Sequence, residues 1–262
     1  MSYEKIAFDL SDGIATITFN RPEAFNALDM QLAREFHDAI VMCSEDDAVR
    51  VVLITGTGKA FCAGGDVKGF GEKIDQIGAH VKLLTTELHG AVSRMIRMSK
   101  PTITAVNGVA AGGGMSLALA GDLILATASA RFTMAYTQIG ASPDGSSSFF
   151  LPRMVGVKRA LELTFLNRVL SAHEAMEWGI VSQVFADEQF SQEVRSIATR
   201  LAQGPTLAYG RAKTLFYSST SETLETQMEH EAQLIAACGK TADFREGISA
   251  FAEKRPPIFH GR

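Results

Sequence analysis

Two glycine-bearing segments are places where the backbone, rather than a side chain, could do chemistry. The first is Ala63-Gly64-Gly65-Asp66, in the loop after the apolar run Val51 to Thr55. The second is Gly112-Gly113-Gly114, which opens the apolar stretch Met115 to Ala120. Glycine lets the chain approach a ligand closely with its N–H turned outward. A helix N-terminus offers amide hydrogens that no carbonyl of the helix can reach, and its dipole favours negative charge. Two such donors converging on one carbonyl oxygen form an oxyanion hole, where each donor is typically worth ~10²–10³ in rate. Taken singly, each segment reads equally as a tight turn or a close helix–strand contact.

The elements that must position these segments follow from periodicity. Ile14 to Phe19 alternates and ends at Asn20-Arg21-Pro22, which predicts a strand, with Ile6 to Phe8 in a preceding one. Leu32, Phe36, Ala39 and Ile40 have helical spacing, which predicts a helix over Met30 to Met42 with Asp29 as its N-cap. Val51 to Thr55, Thr102 to Val106 and Leu123 to Ala126 read as buried strands, Val81 to Met98 as a helix, and Met115 to Ala120 as a buried helix. From Lys158 onward the pattern is helical except for Ile180 to Val184, with long helices expected near 191–203, 207–217, 222–237 and 242–254. Alternating strands and helices up to about residue 185 imply an α/β core, taken as 1–190, followed by a helical region, 191–262.

Composition narrows the function classes. The net charge is -4 and no run of Lys and Arg occurs, which argues against an extended nucleic-acid surface. A small polyanionic ligand needs only a few cations and helix N-termini, so it remains compatible. Three cysteines without metal-ligand spacing fit a reducing cytoplasm, and no metal is expected. Pro101 to Gly121 is uncharged, but Asn107, Ser116 and the glycine run interrupt it, so it reads as strand, turn and helix rather than a membrane span. The first residues form no apolar signal core.

Phe61-Cys62-Ala63-Gly64-Gly65-Asp66, the segment Ala105-Val106-Asn107-Gly108 through Gly114, and Phe251-Ala252-Glu253-Lys254-Arg255 together resemble the enoyl-CoA hydratase/isomerase (crotonase) family. Asn20 to Leu28 resembles its N-terminal signature, and the likeness runs over essentially the whole chain in the family's order. The resemblance implies a crotonase-like spiral of repeated strand-strand-helix units with a C-terminal helical trimerisation region, building a homotrimer or a dimer of trimers. It implies an acyl-coenzyme A thioester as substrate, with coenzyme A part of that substrate and no separate cofactor. It places the oxyanion donors at the N–H groups of Gly65 and Gly113. Ala24, Ala63, Asp66 and Val67 match positions along coenzyme A, and Phe251 and Lys254 match positions that reach it from a neighbouring subunit.

Where the hydratases carry two glutamates, the matching residues are Ser116 and Tyr136. Neither is a base near neutral pH: a tyrosine titrates near ~10, and a serine hydroxyl needs a partner base. The remaining acid is Asp144. Read locally, Pro143-Asp144-Gly145 is a surface turn. Isomerases of the family carry an Asp in a similar Pro-Asp context followed by a Leu-Pro-Arg segment, here Leu151-Pro152-Arg153. That implies an enoyl-CoA isomerase with Asp144 shuttling a proton between carbons. The 4-chlorobenzoyl-CoA dehalogenases imply an alternative, with Asp144 as nucleophile, His89 activating water and Tyr136 in an aromatic position; read locally, His89 is a partly buried helix residue beside Leu88 and Val92. The dehalogenases line the ring pocket with large aromatics and lack the Asp of the Ala-Gly-x-Asp motif, whereas this chain has Leu88 and Gly65 there and keeps Asp66. A non-catalytic acyl-CoA-binding protein is the third reading. Residues 69–78 are expected to shape the acyl pocket.

Overall fold

The computed structural model describes residues 3–71 and 74–262. Glu72 and Lys73, within the segment expected to shape the acyl pocket, lie outside the described residues. Two sheets organise the chain. The larger runs β1 (Ile6–Ser11), β2 (Ile14–Phe19), β3 (Val51–Gly56), β5 (Thr102–Val106), β7 (Leu123–Thr127) and β10 (Gln183–Phe185). The smaller runs β4 (Ala60–Cys62), β6 (Val109–Ala111), β8 (Arg131–Thr133) and β9 (Leu170–Ser171). Apart from the hairpin β1–β2 and the pair β8–β9, neighbouring strands are parallel.

The order of elements is a spiral. Each circuit lays one strand in the larger sheet, the next in the smaller, and then a helix: β3–β4 leads to α2 (Val67–Gly71) and α3 (Ile77–Arg97), and β5–β6 leads to α4 (Gly113–Leu119). β7–β8 leads through a 3₁₀ turn at Tyr136–Ile139 to α5 (Ser147–Val155) and α6 (Val157–Leu166). The helices α1 (Met30–Glu45), α7 (Ala172–Glu177), α8 (Phe190–Ala202), α9 (Thr206–Ser218), α10 (Leu224–Cys238) and α11 (Ala242–Glu253) complete the chain.

Strand residues alternate between two cores, as a period of two requires. Val52 and Ile54 join the main core with Phe19, Phe36 and Phe61, whose rings meet edge-to-face at 5.3 and 5.6 Å around Phe19. Val51 and Leu53 face the other way, with Ile14, Ile103 and Leu125, against Val194, Ile197 and Ala198 of α8. The α1 start behaves as expected: the Leu32 N–H donates to Asp29 Oδ1 at 2.8 Å.

Three differences from the sequence reading have physical causes. The three-residue strands β4, β6 and β8 are too short to show a period. Strand β10 begins at Gln183 rather than Ile180, because Ile180 and Val181 are tied by their amides to the Ala175 carbonyl. Helix α5 contains Pro152, which removes a helical donor and hides the helix from propensity arguments. Among the described residues, no helix is long and apolar enough to cross a membrane.

Candidate active site

Parallel pairing of β4, β6 and β8 sets the chain segments that leave their C-terminal ends side by side. Those segments are Ala63-Gly64-Gly65, Gly112-Gly113 and Ala135-Tyr136. A Gly112 N–H donating to the Thr133 carbonyl at 3.1 Å links the second to the third. The first and second nearly touch: a Cβ on Gly64 would lie 2.9 Å from the Ala111 oxygen and 3.3 Å from the Gly113 nitrogen. Gly64 has φ +96 and Gly112 φ +51, conformations that favour glycine, so both glycines are required by shape.

The carbonyls nearby are spoken for by other amides. Leu28 N–H donates to the Gly64 carbonyl at 2.7 Å, Asp66 N–H to the Leu28 carbonyl at 3.0 Å, and Ala63 N–H to the Phe25 carbonyl at 3.0 Å. The N–H groups of Gly65 and Gly113 have no acceptor among the described residues. Gly113 is the first residue of α4, where a free amide and the positive end of the helix coincide. Phe70 of α2 lies over Gly65, its ring 2.9 Å from where a Cβ would be, and it packs edge-on to His80 of α3 at 5.8 Å.

Ser116, Tyr136 and Asp144 form one chain of hydrogen bonds. Tyr136 Oη donates to Asp144 Oδ1 at 2.6 Å and lies 2.8 Å from Ser116 Oγ, which in turn reaches the Gly112 carbonyl at 3.3 Å. Burial, and then the Asp144 charge, push the Tyr136 hydroxyl well above the ordinary tyrosine range, so it is a fixed donor and not a base. Asp144 Oδ2 has no hydrogen-bond partner among the described residues. The Asp144 carbonyl accepts the Ser147 N–H at 3.2 Å and Ser147 Oγ at 2.9 Å, anchoring the turn to α5. The Pro-Asp-Gly sequence is therefore no free surface turn: Asp144 is half-buried and Gly145 buried.

His89, on α3, reaches the same turn: the Gly145 N–H donates to His89 Nε2 at 3.2 Å. The sequence placed His89 as partly buried; it is exposed, on the rim of a cavity of about 510 Å³. Val92, Ile96, Phe150 and Asp144 line that cavity, together with Arg97. His89, Ser93 and Arg97 recur at intervals of four, so one stripe of α3 forms its wall.

On the other side, Arg21 organises the segments matched to coenzyme A. Its guanidinium pairs with Asp66 at 3.0 Å and Asp29 at 3.2 Å and donates to the Ala27 carbonyl. Burial raises the Asp66 carboxyl, but the Gly69 N–H and Arg21 outweigh it and hold Asp66 below the usual range. Buried Asn26 donates to the Thr57 and Ala60 carbonyls at 3.0 and 2.8 Å, fastening the 3₁₀ turn Pro22–Ala24 to the start of β4. Ala63 is tied to the carbonyl of Phe25, the residue after Ala24, and Asp66 to that of Leu28, with Val67 exposed at the start of α2. Phe251 is 88% exposed on the last turn of α11, and Lys254 follows it with φ +55; no hydrogen bond or ring contact among the described residues ties either to this cluster.

Sequence reading did not single out Arg97, and it held Phe70 only within the segment 69–78 and Arg21 only within the N-terminal signature. Arg97 had a readable signal in its four-residue spacing from His89; the roles of Phe70 and Arg21 depend on contacts between segments distant in the chain.

A family profile described as enoyl-CoA hydratase/isomerase matches residues 9–262. The chain is 38% identical over 262 residues to the 1,2-epoxyphenylacetyl-CoA isomerase of Escherichia coli (strain K12), covering 99% of each. It is 40% identical over 250 residues to 4-chlorobenzoyl coenzyme A dehalogenase-2 of an Arthrobacter species, covering 95% of this chain and 91% of that one. Among solved structures, an enoyl-CoA hydratase/isomerase from Mycobacterium abscessus superposes with a TM-score of 0.93 at 33% identity, covering 98% of this chain and 100% of that one. The spiral, the paired glycine segments and these relatives together make the chain a member of the enoyl-CoA hydratase/isomerase family, an acyl-CoA enzyme with the crotonase fold.

Proposed function

We propose that the protein is an enoyl-CoA isomerase whose base is Asp144. The observation that carries this reading is the hydrogen-bond chain Ser116–Tyr136–Asp144, in which residues at the hydratase glutamate positions orient one carboxylate and supply no second acid or base. The thioester oxygen sits between the Gly65 and Gly113 N–H groups. Asp144 Oδ2 takes a proton from C2, and the C–H electrons form the C1–C2 double bond of a dienolate whose charge lies on the thioester oxygen. Asp144 Oδ2 returns the proton at C4 as the C1–O double bond re-forms, and the double bond moves from C3–C4 to C2–C3. No water is added and no redox change occurs, so one base suffices. That relatives of the chain include isomerases supports this reading. Assembly into trimers, with Phe251 and Lys254 meeting a neighbour's coenzyme A, belongs to the same proposal.

The test is Asp144→Asn, assayed by the ultraviolet absorbance of the conjugated 2-enoyl-CoA formed from a 3-enoyl-CoA. Loss of a positioned proton-transfer group is expected to lower kcat by ~10²–10⁴-fold. Unchanged turnover would refute the assignment. Water addition to a 2-enoyl-CoA is expected to be far slower than double-bond migration.

A further inference from the structure

We propose that His89 is a positioning residue: its Nε2 lone pair holds the Asp144 turn in place by accepting the Gly145 N–H, and protonation of the imidazole releases that turn. The proposal rests on the isomerase reading only in taking Asp144 as the residue that must be placed.

The turn needs external support. Gly145 and Ser146 follow one another with φ +58 and +78, and the second is not a glycine. Left-handed backbone at a residue with a side chain costs roughly 1–2 kcal/mol. From one side, Ser116 of α4 and Leu88 of α3 press against Gly145: a Cβ there would lie 2.8 Å from Ser116 Cβ and 3.4 Å from Leu88 Cδ2. Those contacts block movement inward and supply no polar partner. Gly145 is buried, and its amide has one acceptor among the described residues, His89 Nε2 at 3.2 Å. A buried amide left without an acceptor costs roughly 1–3 kcal/mol, so the bond opposes movement of the turn outward.

The bond also assigns the tautomer. A nitrogen that accepts from an N–H carries no proton, so the neutral ring bears its hydrogen on Nδ1. An imidazolium has no lone pair and would set a donor against the Gly145 N–H. His89 is exposed, so the solvent proton has direct access. Charged groups on the same cavity are Asp144 from the turn and Arg97 from α3, while α5 contributes Ser148, Phe149 and Phe150, none of them charged. Because Nε2 is committed to the backbone, His89 is not available to activate water through that nitrogen while the turn is in place, which sets it apart from the dehalogenase role considered from sequence.

Two variants separate positioning from chemistry. His89→Gln keeps an oxygen that can accept the amide and does not titrate; His89→Leu removes the acceptor. For the isomerase assay, His89→Leu is expected to lower kcat by ~10–10²-fold, the scale of a misplaced catalytic group, with KM little changed. His89→Gln is expected to recover most of kcat, since its side-chain oxygen accepts the same amide and carries no titrating proton. The second readout needs no substrate. In nitrogen-15-labelled protein, the Gly145 amide resonance should move when His89 is protonated, and the ring nitrogens of the neutral imidazole should report the Nδ1–H form. A Gly145 amide indifferent to His89 protonation overturns the proposal, whatever Asp144→Asn does. So does a His89→Gln enzyme as inactive as His89→Leu, since that would make the imidazole itself the reacting group. If instead Asp144→Asn is fully active while the amide follows His89, the isomerase assignment fails and the structural coupling stands.

Discussion

A single carboxylate becomes useful here because its neighbours remove its freedom. Tyr136 fixes Asp144 Oδ1 at 2.6 Å and leaves Oδ2 without a hydrogen-bond partner among the described residues, as the proposed proton transfer needs. Tyr136→Phe keeps the ring and deletes the donor, so the carboxylate loses its orientation but not its charge. The expected result is a ~10–10²-fold lower kcat with folding stability changed by no more than about 1 kcal/mol, measured by steady-state kinetics and thermal unfolding of the same samples. A stability loss large enough to explain the activity loss would show that the hydroxyl holds the fold rather than the base. Because Tyr136 stays protonated well past the ordinary tyrosine range, the kcat profile of the natural protein is expected to show no alkaline limb from its ionisation.

At the scale of elements, the site depends on how closely α4 starts against β4. A Cβ on Gly114 would lie 2.0 Å from the Cys62 carbonyl oxygen and 2.6 Å from its carbon, both backbone atoms that cannot swing away. Gly114→Ala is expected to destabilise the protein by at least about 1–3 kcal/mol and to shift the Gly113 amide away from Gly65. Gly78, in the first turn of α3, has no atom of the described residues within 4 Å of its added Cβ beyond its chain neighbours and its own helix backbone. Gly78→Ala is expected to stabilise by ~0.5–1 kcal/mol, since alanine loses less backbone freedom in a helix. Urea midpoints at constant slope measure both, and a shared sign would refute the packing argument. The same substitution thus reads out opposite physics on elements one circuit apart.

For the whole molecule, the buried thiols set an alkaline limit. Burial, partly offset by Lys100, raises Cys43 from 9.0 to about 12; burial, partly offset by the Gly64 N–H and Arg21, raises Cys62 from 9.0 to about 12. Folding therefore favours the protonated thiols. That contribution is complete below pH 9, where the unfolded chain also keeps its protons, and is lost as the pH climbs towards 12. Stability is expected to fall from about pH 9 upward, and Cys62→Ala to flatten that fall even if it lowers stability at neutral pH. An unfolding free energy of Cys62→Ala with the same pH slope as the natural protein would contradict this account.

How much was readable before folding depends on the range of the interaction. Amphipathic α1, the capping Asp29, the buried strands and the glycine segments are local patterns, and the sequence by itself determined them because period, cap chemistry and glycine freedom act over a few residues. The absence of the glutamates at Ser116 and Tyr136 was legible too, through resemblance, and it directed attention to Asp144. Tertiary structure alone decided that Pro143-Asp144-Gly145 is held inside rather than exposed, that Tyr136 and Ser116 serve Asp144, and that His89 spends Nε2 on the Gly145 amide. The reason is physical. Ser116–Tyr136 and His89–Gly145 join residues from different circuits of the spiral, and Tyr136–Asp144 closes a loop within one; their distances are set by the parallel pairing of β4, β6 and β8 and by the packing of α3 on the turn, which no local pattern encodes.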